Sequence, residues 1–289
     1  MCVSKRGLRK CLNTSKQAFS GLEAGLYHLT PQNLVGQRFR RDVFGDVWIA
    51  LVGYCPPPAV FSNYAREKVR EQHFLHLSPN SIRIVSHENR RFLSLAHVYG
   101  GPVSSATIEE LAFYGIEFVL AYGLAGGLGT KNLSMGDFYL VESALAADGT
   151  TRHYSGEAVQ SADKSLCSAV REHWQRSHSE PLTPVRAATG DAIYRESDAM
   201  LDEFRQQNCD IVNLDSSHLF AAANTNSADH VIRAVQCGVL SDIVTRDGAG
   251  ASETTLSIML SANAGADFNP LEKTGDIVRF YIEELAPQL

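Results

Sequence analysis

Gly100-Gly101-Pro102-Val103-Ser104-Ser105-Ala106-Thr107-Ile108-Glu109-Glu110-Leu111, followed by Gly123-Leu124-Ala125-Gly126-Gly127-Leu128 and then Gly136-Asp137, decides the fold. Proline suits the first turn of a helix, so Gly100-Gly101-Pro102 opens one, and Ile108, Leu111 and Ala112 recur at helical spacing along its buried face. The apolar run Ile116, Phe118, Val119 and Leu120 then predicts a buried strand. The glycines at 123–127 predict a ligand loop closing that strand at its carboxyl end. Strand, helix, strand and ligand loop in that order indicate an α/β protein.

Working outward, residues 47–52 predict a first central strand stopped by Gly53 and Pro56-Pro57-Pro58. Residues 64–75 are charged and helical in period, and 82–85 and 91–96 predict neighbouring strands. Further strands are expected at 138–141, 185–189, 211–214 and 232–240. Helices are expected at 163–176, with Leu166, Val170 and Trp174 inward, and at 196–207, 216–224, 255–262 and 277–285. Residues 246–251 predict a mobile loop. Strands alternating with helices at this spacing give one three-layer α/β/α domain with a mixed, largely parallel central sheet. That domain is expected over residues 41–289, after a partly flexible N-terminal extension at 1–40.

The whole chain narrows the class. With 289 residues, 44% of them hydrophobic, it can bury one large core. A net charge of −6 supplies no basic field for nucleic acid, and no run approaches the ~18 apolar residues of a membrane span. The six cysteines (Cys2, Cys11, Cys55, Cys167, Cys209, Cys237) contain no C-x-x-C pair. Neither a zinc knuckle nor a disulfide scaffold follows, so no metal or cofactor is expected, and reduced thiols in a cytoplasmic protein are. Residues 1–16 carry Lys5, Arg6, Arg9, Lys10 and Lys16, with no acid before Glu23. Lacking the apolar core of a secretory signal, they read as a frayed basic terminus, with an organellar presequence as the alternative.

Polar groups collect just past three predicted strands, at 123–127, 190–194 and 214–218, with Asp242 close behind the last strand. Carboxyl ends of parallel strands converge on one crevice, so these distant groups are expected to share a pocket for a small molecule.

Taken together and in this order, Gly100-Gly101-Pro102 to Leu111, the loop at 123–128, Gly136-Asp137, Gly190-Asp191-x-x-Tyr194 and Ser241-Asp242 resemble a known family. It is that of the nucleoside phosphorylases and their hydrolytic relatives, the methylthioadenosine/adenosylhomocysteine nucleosidase type, over about residues 47–285. Tyr27-His28-Leu29-Thr30 is also similar to the opening segment of uridine phosphorylases. The resemblance implies that Asp242 is the catalytic acid donating to N7 of a departing purine, with Ser241 beside it. Leu214 and Asp215 stand where the family has a Met-Glu pair whose glutamate grips the ribose hydroxyls, and Asp is one methylene shorter. Gly123 and Leu124 would line the sugar. Ala125, Gly126, Ile193 and Tyr194 would line the base, with Ile193 in place of a stacking phenylalanine. On the residues alone, Asp242 also reads as a helix N-cap, Asp215-Ser216-Ser217 as a helix start and Tyr194 as a half-buried core aromatic.

Departures from the family decide the nucleophile. Its phosphorylases carry an arginine two residues before the loop glycine and a Thr or Ser after it; here those places hold Ala121 and Leu124. Its Gly-Asp-Pro-Arg loop after the first strand is replaced by Gly53-Tyr54-Cys55-Pro56-Pro57-Pro58. A dianion wants cationic, bidentate donors, so water is the expected nucleophile. The nucleosidases' water-orienting glutamate has no counterpart between Gly53 and Phe61, and Glu110, His97, Arg83 and His218 are candidates by position. His153 and Tyr154 lie where family members bring residues toward the sugar or a neighbouring subunit. The expectation is a homo-oligomeric enzyme that hydrolyses the glycosidic bond of a purine nucleoside. Two alternatives remain open: phosphorolysis, with Arg83, Arg90 or Arg91 holding phosphate, and a non-catalytic nucleoside-binding or storage protein.

Overall fold

Ten strands and five helices are laid down by the pattern above in a computed structural model that describes residues 27–228, 230–244 and 269–289. The strands are β1 (Ile49–Gly53), β2 (Ala65–Lys68), β3 (Ile82–His87), β4 (Arg90–Leu95), β5 (Phe118–Gly127), β6 (Phe138–Ala146), β7 (Val159–Ser161), β8 (Leu182–Thr189), β9 (Ile211–Asn213) and β10 (Arg233–Ile243). The helices are α1 (Gly101–Phe113), α2 (Lys164–Ser177), α3 (Asp198–Gln206), α4 (Ser216–Asn224) and α5 (Pro270–Phe280). The loop expected at 246–251 and the helix expected at 255–262 lie outside the described residues.

All strands join one mixed sheet organised around β5. Parallel β10 lines one edge of β5 along its whole length, from Arg233 opposite Phe118 to Ile243 opposite Gly127. The other edge is shared. Parallel β1 covers Phe118 to Tyr122, and antiparallel β9 takes over at Gly126 and Gly127. Between those partners the sheet forks at Gly123, Leu124 and Ala125. Beyond β1 the sheet continues through β4, β3 and β2, while β9, β8, β6 and β10 return to β5 and close a barrel-like ring. Parallel and antiparallel ladders are equally numerous among the described residues, the parallel ones concentrating around β1, β5, β8 and β10.

Burial follows sequence periodicity closely in α2. Leu166, Val170 and Trp174 are fully buried, and the Asp163 carboxylate caps the helix by accepting from the Leu166 amide at 2.7 Å. Helix α1 buries more than its apolar stripe: Ser104, Ser105, Thr107 and Glu110 are also enclosed, because α1 packs against both α4 and the segment at Pro31–Asn33. Val35 and Phe39 belong to the main core, so packing of the domain begins ahead of residue 41.

Two expectations are corrected. Residues 64–75 do not form a helix: Ala65–Lys68 is an exposed edge strand paired antiparallel with β3. Alternating charges at a sheet edge mimic the polar face of a helix, and Arg66, Glu67 and Lys68 discourage further strand addition there. The glycines at 123–127 are not a loop either, since β5 runs through them to Gly127. They are needed for close approach: a Cβ on Gly127 would lie 2.6 Å from Ile243 Cδ1, and one on Gly126 3.3 Å from Asp242 Oδ2.

Candidate active site

Asp242 owes its position to a break in the β5–β10 register. Leu240 stands opposite Ala125 and Asp242 opposite Gly126, so Ser241 is an extra residue in β10. A bulge of this kind re-aims the side chains beside it. The Ser241 hydroxyl bonds Ala125 O at 3.2 Å and Asp242 Oδ1 at 2.7 Å. Asp242 Oδ2 sits against Gly126, where any side chain would crowd it. Burial raises the Asp242 pKa, with the Ser241 hydrogen bond opposing. Asp242 lies within a strand, which removes the helix N-cap reading.

Asp215 occupies the N-cap position of α4 but does not cap it. Asn213 does that work: its Oδ1 faces the Asp215 and Ser216 amides at 3.3 and 3.4 Å, and the Thr189 hydroxyl accepts from the Ser217 amide at 3.0 Å. The Asp215 carboxyl is thereby released inward, with Oδ2 3.5 Å from the point where a Gly123 Cβ would stand and 3.5 Å from Gln236 Nε2. It is buried, and desolvation lifts its pKa well above the usual carboxylate range. Tyr54 packs on the same face of Gly123, with its hydroxyl bonded to Ser104 at 2.7 Å.

Asp215 lies beside Gly123 and Asp242 beside Gly126, three residues apart and about 10 Å along β5 at ordinary rise, at positions whose side-chain directions alternate between the two faces of a strand. Ser241, Ala125 and Gly126 join Asp242, while Gly123 joins Asp215. Leu124 is partly buried against the core, and the Leu214 carbonyl is bonded to His218 Nε2 at 2.7 Å. Ile193 and Tyr194 are not brought in: they sit on a short turn with Tyr194 93% exposed. The preceding Asp191 is drawn instead to the Gly149 amide at 2.6 Å.

Most proposed water-activating groups are engaged elsewhere. Arg83 donates to the carbonyls of Pro79 and Ile82, and His97 pairs with Tyr99 at 3.4 Å. Glu110 accepts from the Leu75 amide at 2.8 Å and borders a groove of about 430 Å³ with His153, Tyr154, Tyr27 and Leu34, away from both acids. His218 is buried in α4. Among the arginines considered for phosphate, Arg91 is paired with Asp46 at 2.8 Å.

Sequence reasoning missed Glu196, which falls just outside α3 because Ser197 is the cap. Burial first, and the charge of Asp242 second, push its carboxyl up to about 7. It missed Asp148 as well, whose carboxylate accepts from Thr150, Thr151 and Ser217 and is held below its ordinary range by those hydrogen bonds against desolvation. No spacing pattern distinguished either residue from ordinary loop polar groups.

Comparisons with known proteins agree with this architecture. The Phosphorylase superfamily profile matches residues 58–267. An uncharacterized protein of Acanthamoeba polyphaga mimivirus is 30% identical over 226 residues, covering 77% of this chain and 85% of that one. Guanosine phosphorylase of Halorubrum lacusprofundi is 27% identical over 129 residues, covering 43% of this chain and 51% of that one. Purine nucleoside phosphorylase from Toxoplasma gondii, solved with immucillin-H, superposes with a TM-score of 0.65 at 16% identity, over 88% of this chain and 96% of that one. With the profile spanning most of the chain and the sheet arranged as described, this protein belongs to the phosphorylase superfamily.

Proposed function

We infer that the protein cleaves the N-glycosidic bond of a purine nucleoside, with water as the nucleophile. The observation that carries this reading is the bulge at Ser241. It sets Asp242 with one oxygen satisfied by the Ser241 hydroxyl and the other beside Gly126, where Val244 and Val212 also pack. Burial favours the protonated form of Asp242, and a proton on Oδ2 is placed to be given to N7 of a purine. Glycosidic cleavage expels the base as an anion, so a proton delivered in the transition state lowers the barrier. Asp215, buried at Gly123, serves the pentose side by accepting from ring hydroxyls.

Water is favoured because Ala121 is wholly buried and Leu124 is apolar where phosphorylases of the family hold phosphate. A second reading, phosphorolysis, has one observation behind it, the similarity to guanosine phosphorylase. Base release from adenosine, guanosine and inosine, measured in phosphate-free buffer and again with phosphate, separates the two. Equal rates support hydrolysis; turnover only with phosphate establishes phosphorolysis; base release unaffected by Asp242→Asn removes the catalytic assignment.

A further inference from the structure

We propose that Gln236, on β10, is a positioning residue that fixes which oxygen of Asp215 is left for the substrate. This rests on the sugar-side role of Asp215 given above. Gln236 is wholly buried within the apolar run 234–240 of β10, and its amide meets two polar groups. Gln236 Oε1 accepts from the Ser216 hydroxyl at 2.7 Å, and Gln236 Nε2 faces Asp215 Oδ2 at 3.5 Å.

The hydrogen-bond direction is set from outside the pair. The Asp215 and Ser216 backbone amides, which can only donate, face Asn213 Oδ1 at 3.3 and 3.4 Å, and the Thr189 hydroxyl donates to the same oxygen at 3.2 Å, so the Asn213 amide nitrogen is the atom turned to Ser216 Oγ, to which it donates at 2.6 Å. With that oxygen accepting, the Ser216 proton goes to Gln236 Oε1. The Gln236 N–H is then the group presented to Asp215. A hydroxyl has one proton and an amide has distinct ends, so each link dictates the next. The relay draws on the ends of β8 and β9, the start of α4 and the middle of β10, all framework elements. A site whose supporting groups come from rigid elements holds its geometry better than one built on loops.

At 3.5 Å the last link is long for a hydrogen bond and can shorten. A substrate hydroxyl engaging Oδ1 would draw Oδ2 onto the waiting N–H. Gln236 therefore acts through Asp215 and does not itself touch the substrate.

The test uses the full chain with ¹³C-labelled aspartate, the Asp215 Cγ resonance being assigned by its absence from Asp215→Asn. Gln236→Leu removes the donor, and Ser216→Ala removes the group that orients it, leaving the donor present. The Asp215 resonance is expected to move in both, further in Gln236→Leu, while that of Asp242 stays in place. In the nucleoside assay, Gln236→Leu is expected to raise KM about tenfold, the order of one hydrogen bond to a charged or buried partner, with a smaller change in kcat. An Asp215 resonance unmoved in folded Gln236→Leu overturns the proposal, as does an unmoved resonance in Ser216→Ala should Gln236→Leu fail to fold. If the resonance moves but the wild type neither binds nor cleaves guanosine, adenosine or inosine, the positioning stands and the proposed function falls.

Discussion

Replacing Glu110 by Gln should stabilise the protein near neutral pH and leave it unchanged in acid. Glu110 is 4% exposed; its Oε1 accepts from the Leu75 amide, and its Oε2 has no hydrogen-bond partner among the described residues. Burial, with the neighbouring Glu109 charge adding to it, raises its pKa to about 8 against the opposing Leu75 bond. An acid that binds its proton more tightly folded than unfolded confers stability below the unfolded value. That stability is lost as pH climbs toward the folded one. Each pH unit in that window is worth about 1.4 kcal/mol, so from pH 5 to pH 7 the wild type should lose about 3 kcal/mol relative to the variant. Gln mimics the neutral acid in shape and can still accept from Leu75. Other groups with raised pKa, such as Asp215 and Asp242, are common to both proteins and cancel in the difference. In a chain of this size the gap corresponds to roughly 5 to 10 °C in melting temperature. Thermal unfolding of both proteins at pH 5, 6 and 7 measures it. A melting difference that is the same at all three values would refute a neutral, buried Glu110.

Other perturbations follow from the same structure. Asp242→Asn keeps the Ser241 contact but removes the proton, and should lower base release by about two orders of magnitude or more, the usual worth of a general acid. In the wild type, the rate should fall as pH rises through the elevated Asp242 pKa, which a pH profile of base release reads. Gly238→Ala would place a Cβ 2.1 Å from Tyr139 Oη and 2.6 Å from the Gly123 carbonyl, so denaturant unfolding should show a loss of about 3 kcal/mol, the upper range for overpacking. Tyr139→Phe removes a buried hydroxyl with no partner among the described residues and should be neutral or stabilising by about 1 kcal/mol in the same assay.

Period and punctuation made most of the framework readable. Helix α4 falls on its expected residues, and α2 shows its cap in Asp163 and its inward face in Leu166, Val170 and Trp174. What misled was chemistry common to two structures. The charges of Ala65–Lys68 suit a helix surface and a sheet edge equally, and only the partner strand Ile82–His87 decides between them. Closure of the sheet was invisible because it depends on β5 exchanging one neighbour for another along a single edge. No local periodicity encodes that exchange.

The site was legible where it depended on residue type and illegible where it depended on register. Ser241 and Asp242 stood out as polar residues ending an apolar strand, but the bulge that aims them is a mismatch between Leu240–Asp242 and Ala125–Gly126, which neither segment reveals alone. The glycines at 123, 126 and 127 suggested a loop because glycine is costly in a strand. Here that cost is offset by close approach: a side chain would crowd Tyr54 at Gly123, Val244 and Asp242 at Gly126, and Ile243 at Gly127. The same absence of side chains that seemed to break β5 is what lets Tyr54, Asp242 and Ile243 come close to one strand. Gln236 was hidden for the converse reason, since a single amide within an apolar run reads as noise until Ser216 and Asp215 are found on either end of it. Substituting Gly126 should therefore crowd Asp242 before it breaks the sheet, because β10 pairs with β5 throughout.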